Sequence, residues 1–152
     1  MRRKEKEITE KSEIEAVIYK SMVCRLALSD DNIPYIVPLC FGYQNNTLYV
    51  HGSLEGRKTD ILQKNQNVCF EFDVDTEIVE NESACKWGMK YKSVIGFGKA
   101  LFIKEKDDKQ KALDIIMSQY TDRPAQFSEK AINGTTVIKI EIISMTGKQS
   151  GF

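Results

Sequence analysis

The chain has 152 residues, 22 basic and 22 acidic side chains, a single His and 41% hydrophobic residues. A chain of about 150 residues buries roughly 68–70% of its unfolded surface, so the length suits one domain with an ordinary core. Balanced charge argues against a nucleic-acid binder, whose phosphate contacts need a surplus of Lys and Arg, and the hydrophobic fraction excludes a disordered or fibrous chain.

The opening run MRRKEKE has no apolar stretch behind it, so it shows no secretory signal. Residues 1–8 read as a flexible tail on a single domain spanning 1–152. The longest apolar stretch, Ile36 to Tyr43, falls far short of the roughly 20 residues a membrane span needs. The expected setting is the cytoplasm, with no membrane and no nucleic-acid partner. Cys24, Cys40, Cys69 and Cys85 are widely spaced with no CxxC pair, which argues against a zinc site. Three of them lie in apolar runs and read as small buried hydrophobes.

Ser12 to Glu15 has the form of a capping box. Ile14, Val17 and Ile18 then recur at helical spacing, which predicts a helix over 13–20. Val23 to Ser29, Ile33 to Tyr43 and Thr47 to His51 read as three strands joined by turns at 30–32 and 44–46, where Asp and Asn tolerate left-handed backbone. Pro38 inside the second strand cannot donate to a ladder, so the backbone of Val37, Pro38 and Leu39 is partly free of sheet pairing and available for other contacts. A short helix ends near Asn65, and Asn67 to Asp75 alternates as a fourth strand. Residues 76–86 read as a strand end and loop. Tyr91 to Lys104 is a long strand whose Gly96 and Gly98 point to a bulge or a close backbone approach. A helix over 107–120 and an alternating strand over 135–144 complete the chain. The reading is mainly β with flanking helices, antiparallel, with about six strands in a small closed or partly closed barrel.

The stretch Tyr49-Val50-His51-Gly52-Ser53, followed by Gly56-Arg57-Lys58, places a strand end, a flexible turn, two adjacent cations and a helix start close together. A helix N-terminus attracts anions, and two cations there are unfavourable against the dipole unless an anion bridges them. A phosphate meets that need, with Arg bidentate and Lys as a point charge. The same pattern also describes solvated cations on a first helical turn, and a lone His also describes a packed structural residue.

Pro34-Tyr35-Ile36-Val37-Pro38, His51-Gly52 with Gly56-Arg57-Lys58, and Tyr91 through Gly98 occur in an order and spacing that resembles the nitroimidazole-resistance branch of the pyridoxamine 5′-phosphate oxidase-like flavoproteins. The resemblance covers roughly Arg3 to Lys148. It implies a split β-barrel of the FMN-binding type and a homodimer with flavin at the interface, usually FMN, with FAD conceivable. By that analogy Arg57, Lys58 and Ser93 hold the flavin phosphate. His51, Gly52 and Ser53 lie along the flavin, the backbone of Val37, Pro38 and Leu39 faces the ring edge, and Thr146 to Lys148 is a weaker candidate. His51 is the candidate catalytic residue, positioning a substrate or supplying a proton. Trp87 and Tyr91 are candidate walls against a substrate. The implied function is reduction of small oxidised molecules such as nitroaromatics, with an electron donor that no sequence fingerprint identifies. The alternatives are a non-catalytic flavin- or haem-binding module and a true pyridoxamine 5′-phosphate oxidase; the latter needs a second basic cluster that has no convincing match here.

Overall fold

The computed structural model describes residues 3–152. Its elements in chain order are β1 (Glu7–Ile8), α1 (Lys11–Lys20), β2 (Cys24–Asp30), β3 (Ile33–Leu39), β4 (Phe41–Gln44), β5 (Thr47–Ser53), α2 (Arg57–Lys64), β6 (Asn67–Val79), β7 (Gly88–Ile103), α3 (Lys106–Ser118), α4 (Glu129–Asn133) and β8 (Thr135–Ser150). One eight-stranded antiparallel sheet runs β3-β2-β6-β7-β8-β5-β4, and β1 adds to β8. No helix of the described residues is long and apolar enough to cross a membrane.

The expected single strand over 33–43 is two strands, interrupted at Cys40. β3 and β4 stand at opposite ends of the sheet order yet follow each other in sequence. The sheet therefore curls until its two edges approach at Cys40, a barrel that is split rather than sealed. Pro34 and Pro38 both lie on the edge strand β3, where a missing N–H costs the ladder nothing. Turns at Asp31-Asn32 and Asn45-Asn46 take positive φ as their residue types allow.

Alternation along the strands divides the packing into two layers. Leu26, Leu28, Phe41, Leu48, Val50, Phe70, Phe72 and Val94 face the barrel interior, which α1 and α2 plug with Ile14, Val17, Ile18, Ile61 and Leu62. On the outer face, α3 and α4 pack Ala112, Leu113, Ile116 and Ile132 against Val137, Tyr49 and Ile103. Gly96 is needed for close packing, since a Cβ there would lie 2.2 Å from Cζ of Phe70, a fully buried ring. Tyr120 ties the seam near the split: the Phe41 backbone N–H donates to its hydroxyl at 2.9 Å, and that hydroxyl donates to the Met22 carbonyl at 3.1 Å.

Several local expectations are corrected. Glu7 and Ile8 pair with Lys148 and Gly147, so the tail does not extend to residue 8. Helix α1 begins at Lys11 with Glu10 as its N-cap and no side-chain cap bond. Glu15 is no capping-box partner, because the Tyr43 hydroxyl donates to its carboxylate at 2.8 Å. The strand end expected after Asp75 is present, and it pairs beyond a bulge. A bulge turns the chain, and Glu77 to Val79 then pair with Lys90 to Gly88, making a two-stranded arm. All four cysteines are free, but only Cys24 is buried, and burial pushes its thiol up to about 12. Cys40 is exposed because it sits at the interruption between β3 and β4. Half-buried Cys69 alternates with inward-facing Val68 and Phe70, which puts it on the outer face.

Candidate functional site

Three elements meet where β5 ends. Gly52 and Ser53 close the strand, Gly56 turns the chain at φ 138°, and α2 begins at Arg57. The Lys58 ammonium folds back and donates to the His51 carbonyl at 2.9 Å. It can do so because residue 52 is glycine: a Cβ there would stand 2.6 Å from Nζ. Burial holds the Lys58 ammonium below its ordinary pKa, and among the described residues no carboxylate pairs with it. The Arg57 guanidinium lies 4.7 Å from the ring centroid of Tyr35, a cation–π contact worth about 0.5–1 kcal/mol at such sites. That contact brings Tyr35, on the edge strand β3, beside the cations.

This corner suits a phosphate. Two cations at the first turn of an eight-residue helix oppose its dipole, and the first backbone N–H groups of a helix have no partner within it. An anion relieves both. Tyr35, which the site prediction left out, is the platform for Arg57. The signal available for it was an aromatic between two prolines on an edge strand.

Two predicted residues lie elsewhere. Ser93 pairs with Lys148 near the end of β8, whereas Ser53 pairs with Thr135 at its start. Thirteen positions separate Thr135 from Lys148, roughly 40 Å along the strand at about 3.3 Å per residue. Within one chain Ser93 and the Thr146–Lys148 segment therefore sit away from Arg57 and Lys58. The His51 side chain alternates with inward-facing Val50 and shares the outer face with Tyr49, so it points toward α3. There it lines a cavity of about 170 Å³ with Leu113, Ile116, Met117 and Phe127. Burial first, and the Lys58 charge second, hold its imidazole below 6.5. His51 thus contributes its carbonyl to the cation corner and its ring to a separate apolar pocket. A larger cavity, about 660 Å³, lies beside α3 between Tyr49 and Ile115. Its lining charges balance, Lys104, Lys111 and Lys139 against Glu105, Asp108 and Asp114, so it is a poor anion site despite its size.

A split antiparallel barrel with a cation corner at the end of β5, the strand next to the sheet edge, defines a class: the split β-barrels. Residues 10–149 match the model of the pyridoxamine 5′-phosphate oxidase family, and the chain belongs to that family, in its nitroimidazole-resistance branch. It is 38% identical to a candidate 5-nitroimidazole antibiotic resistance protein from Bacteroides thetaiotaomicron, covering 94% of this chain and 86% of that one, with a TM-score of 0.86. A flavocytochrome from Azotobacter vinelandii superposes with a TM-score of 0.87 at 20% identity, over 100% of this chain and 72% of its own. A FAD- and haem-binding protein from Mycobacterium smegmatis does so at 0.87 and 20%, over 97% and 74%. These last two share the fold. No curated protein matches the sequence.

Proposed function

We propose that the protein is a flavin-dependent oxidoreductase that binds FMN, or FAD in its place, and reduces small oxidised molecules such as nitroaromatics. The observation that carries this reading is the pair of cations at a helix start, Arg57 on Tyr35 and Lys58 on the His51 carbonyl, with no anionic partner among the described residues. Support for the substrate class comes from the 38%-identical Bacteroides relative.

When bound, the flavin supplies the electron-transfer chemistry. Arg57 and Lys58 hold its phosphate, Gly52 and Ser53 let the cofactor approach the strand end closely, and the β3 edge offers the backbone groups of Val37 to Leu39 to the ring. His51 orients a substrate or moves a proton at its imidazole, whose pKa burial and the Lys58 charge lower. Ser93, which one chain keeps away from Arg57 and Lys58, has no role at the phosphate in this reading.

A homodimer follows from this reading. The bare outer sheet face exposes Ile36, Ile95, Phe97 and Ile143 at 62%, 45%, 56% and 67%, and a contiguous apolar patch on a sheet is what a subunit interface buries. An obligate interface of roughly 2,000 Å² or more is expected.

Titrating the apoprotein with FMN tests the assignment. Each charged hydrogen bond is worth about 1.5–3 kcal/mol, so replacing Arg57 and Lys58 together with Ala weakens FMN by about two to four decades, at about 1.4 kcal/mol per decade. Equal retention by the double variant overturns the phosphate assignment. An absorption spectrum showing haem bands and no flavin bands from the purified protein overturns the cofactor.

A further inference from the structure

The outer face of the sheet is covered at one end only. There α3 and α4 pack on Val137, Tyr49 and Ile103. Beyond them β7 continues bare through Phe97, Ile95, Ser93, Tyr91 and Met89 into the arm, where Ile78 stands opposite Met89. From Phe97 to Met89 this stripe runs roughly 27 Å at about 3.3 Å per residue. The arm carries Trp87, half exposed at 52%, whose indole N–H donates to the Asn81 carbonyl at 2.6 Å. The ring is held in place without being buried.

A two-fold pairing of bare face on bare face has two orientations. With strands running the same way, the α3–α4 layers of both copies collide. A helix with its side chains is about 10 Å thick, so that collision holds the bare halves apart. With strands reversed, each helix layer lies beyond the end of the other copy's bare stripe, next to its arm. Only the reversed orientation buries both stripes.

We propose that the arm of a second copy of this chain lays Trp87 over the His51 cavity beneath α3 and α4. This rests on the dimeric reading given above and extends it, assigning Trp87 as the wall that closes the pocket in trans. The cavity, about 170 Å³, is close in size to one that holds a single benzene-sized ring. Leu113, Ile116, Met117 and Phe127 line it, and His51 is its only ionisable group. An indole plane over its mouth completes an apolar slot for one small uncharged ring whose polar atom meets the imidazole.

Trp87 is the sole tryptophan, so its emission reports its surroundings directly. The test uses mixed dimers with Cys40, Cys69 and Cys85 replaced by Ser in both chains. One chain carries Trp87→Phe and a nitroxide attached through Gln126→Cys, on the exposed segment before Phe127; the other keeps Trp87 and Gln126. A severalfold loss of Trp87 emission, relative to the same dimer with a diamagnetic label, is the expected result. A dimer that binds flavin but shows no loss overturns the arm placement and leaves the flavin reading standing. A dimer that shows the loss but takes up no flavin supports the arm and refutes the flavin reading. A protein that stays monomeric with flavin bound overturns the arm.

Discussion

Replacing Gly52 with Ala displaces the Lys58 ammonium and, in the apoprotein, disturbs little else. The new methyl group would stand 2.6 Å from the Lys58 Nζ and 3.1 Å from its Cε, both at the far end of a flexible side chain. The ammonium therefore leaves the His51 carbonyl, and the β-strand itself is undisturbed. Losing a charge-assisted hydrogen bond costs about 1.5–3 kcal/mol, discounted here because the carbonyl side is open to water. Fewer unfolded conformations for Ala than for Gly return about 0.4–1 kcal/mol. The net loss is about 1 kcal/mol, a fall in Tm of about 2–4 °C for a chain of this length. Flavin affinity falls more steeply, because the displaced ammonium no longer points along the strand end; a tenfold weakening corresponds to about 1.4 kcal/mol. Differential scanning calorimetry of the apoprotein and FMN titration followed by flavin fluorescence measure the two effects separately. An unchanged Tm with unchanged FMN affinity would show that Lys58 neither bonds the His51 carbonyl nor serves the phosphate.

Gly96→Ala forces the Phe70 ring aside and crowds the Ser144 carbonyl; overpacking of this kind costs about 1–3 kcal/mol, and thermal denaturation should show partial recovery in the Gly96→Ala/Phe70→Leu double variant. Tyr120→Phe leaves the N–H of fully buried Phe41 without its partner, a loss of about 1–3 kcal/mol in urea unfolding, whereas a neutral result means water replaces the hydroxyl. The His51 imidazole titrates below 6.5 in the folded chain, so the unfolded chain takes up the proton first. Its contribution to stability is complete above pH 6.5 and is lost as pH falls through the folded value. The difference in unfolding free energy between wild type and His51→Gln should therefore shrink on acidification over that window, and a pH-independent difference would refute the assignment.

The local rules read well where they act locally. Asn and Asp pairs placed two turns correctly, alternation marked Val68 to Val74 as a strand, and the glycines at 96 and 98 signalled a close approach that the Phe70 ring and the Glu141 carbonyl make. Pro38 announced an edge because its missing donor is a property of one residue. The cation pair after His51-Gly52 was visible for the same reason, as charge and turn residues within a few positions. The arm was legible only in part: residues 76–86 read as a strand end and loop, but nothing in their polar, unpatterned sequence showed that Glu77 to Val79 pair with β7.

Side and distance belong to the folded sheet. Pairing partners decide that β3 and β4, adjacent in sequence, become opposite edges, and that Ser93 ends far from Arg57 along β8. Strand alternation, counted from a register that only pairing sets, turns the His51 ring toward α3 while its carbonyl faces Lys58. Residue types and short spacings determined which groups are present, antiparallel strands and a phosphate-seeking corner among them. Register and sheet closure decided which groups meet, because both depend on contacts between residues tens of positions apart that no local preference encodes.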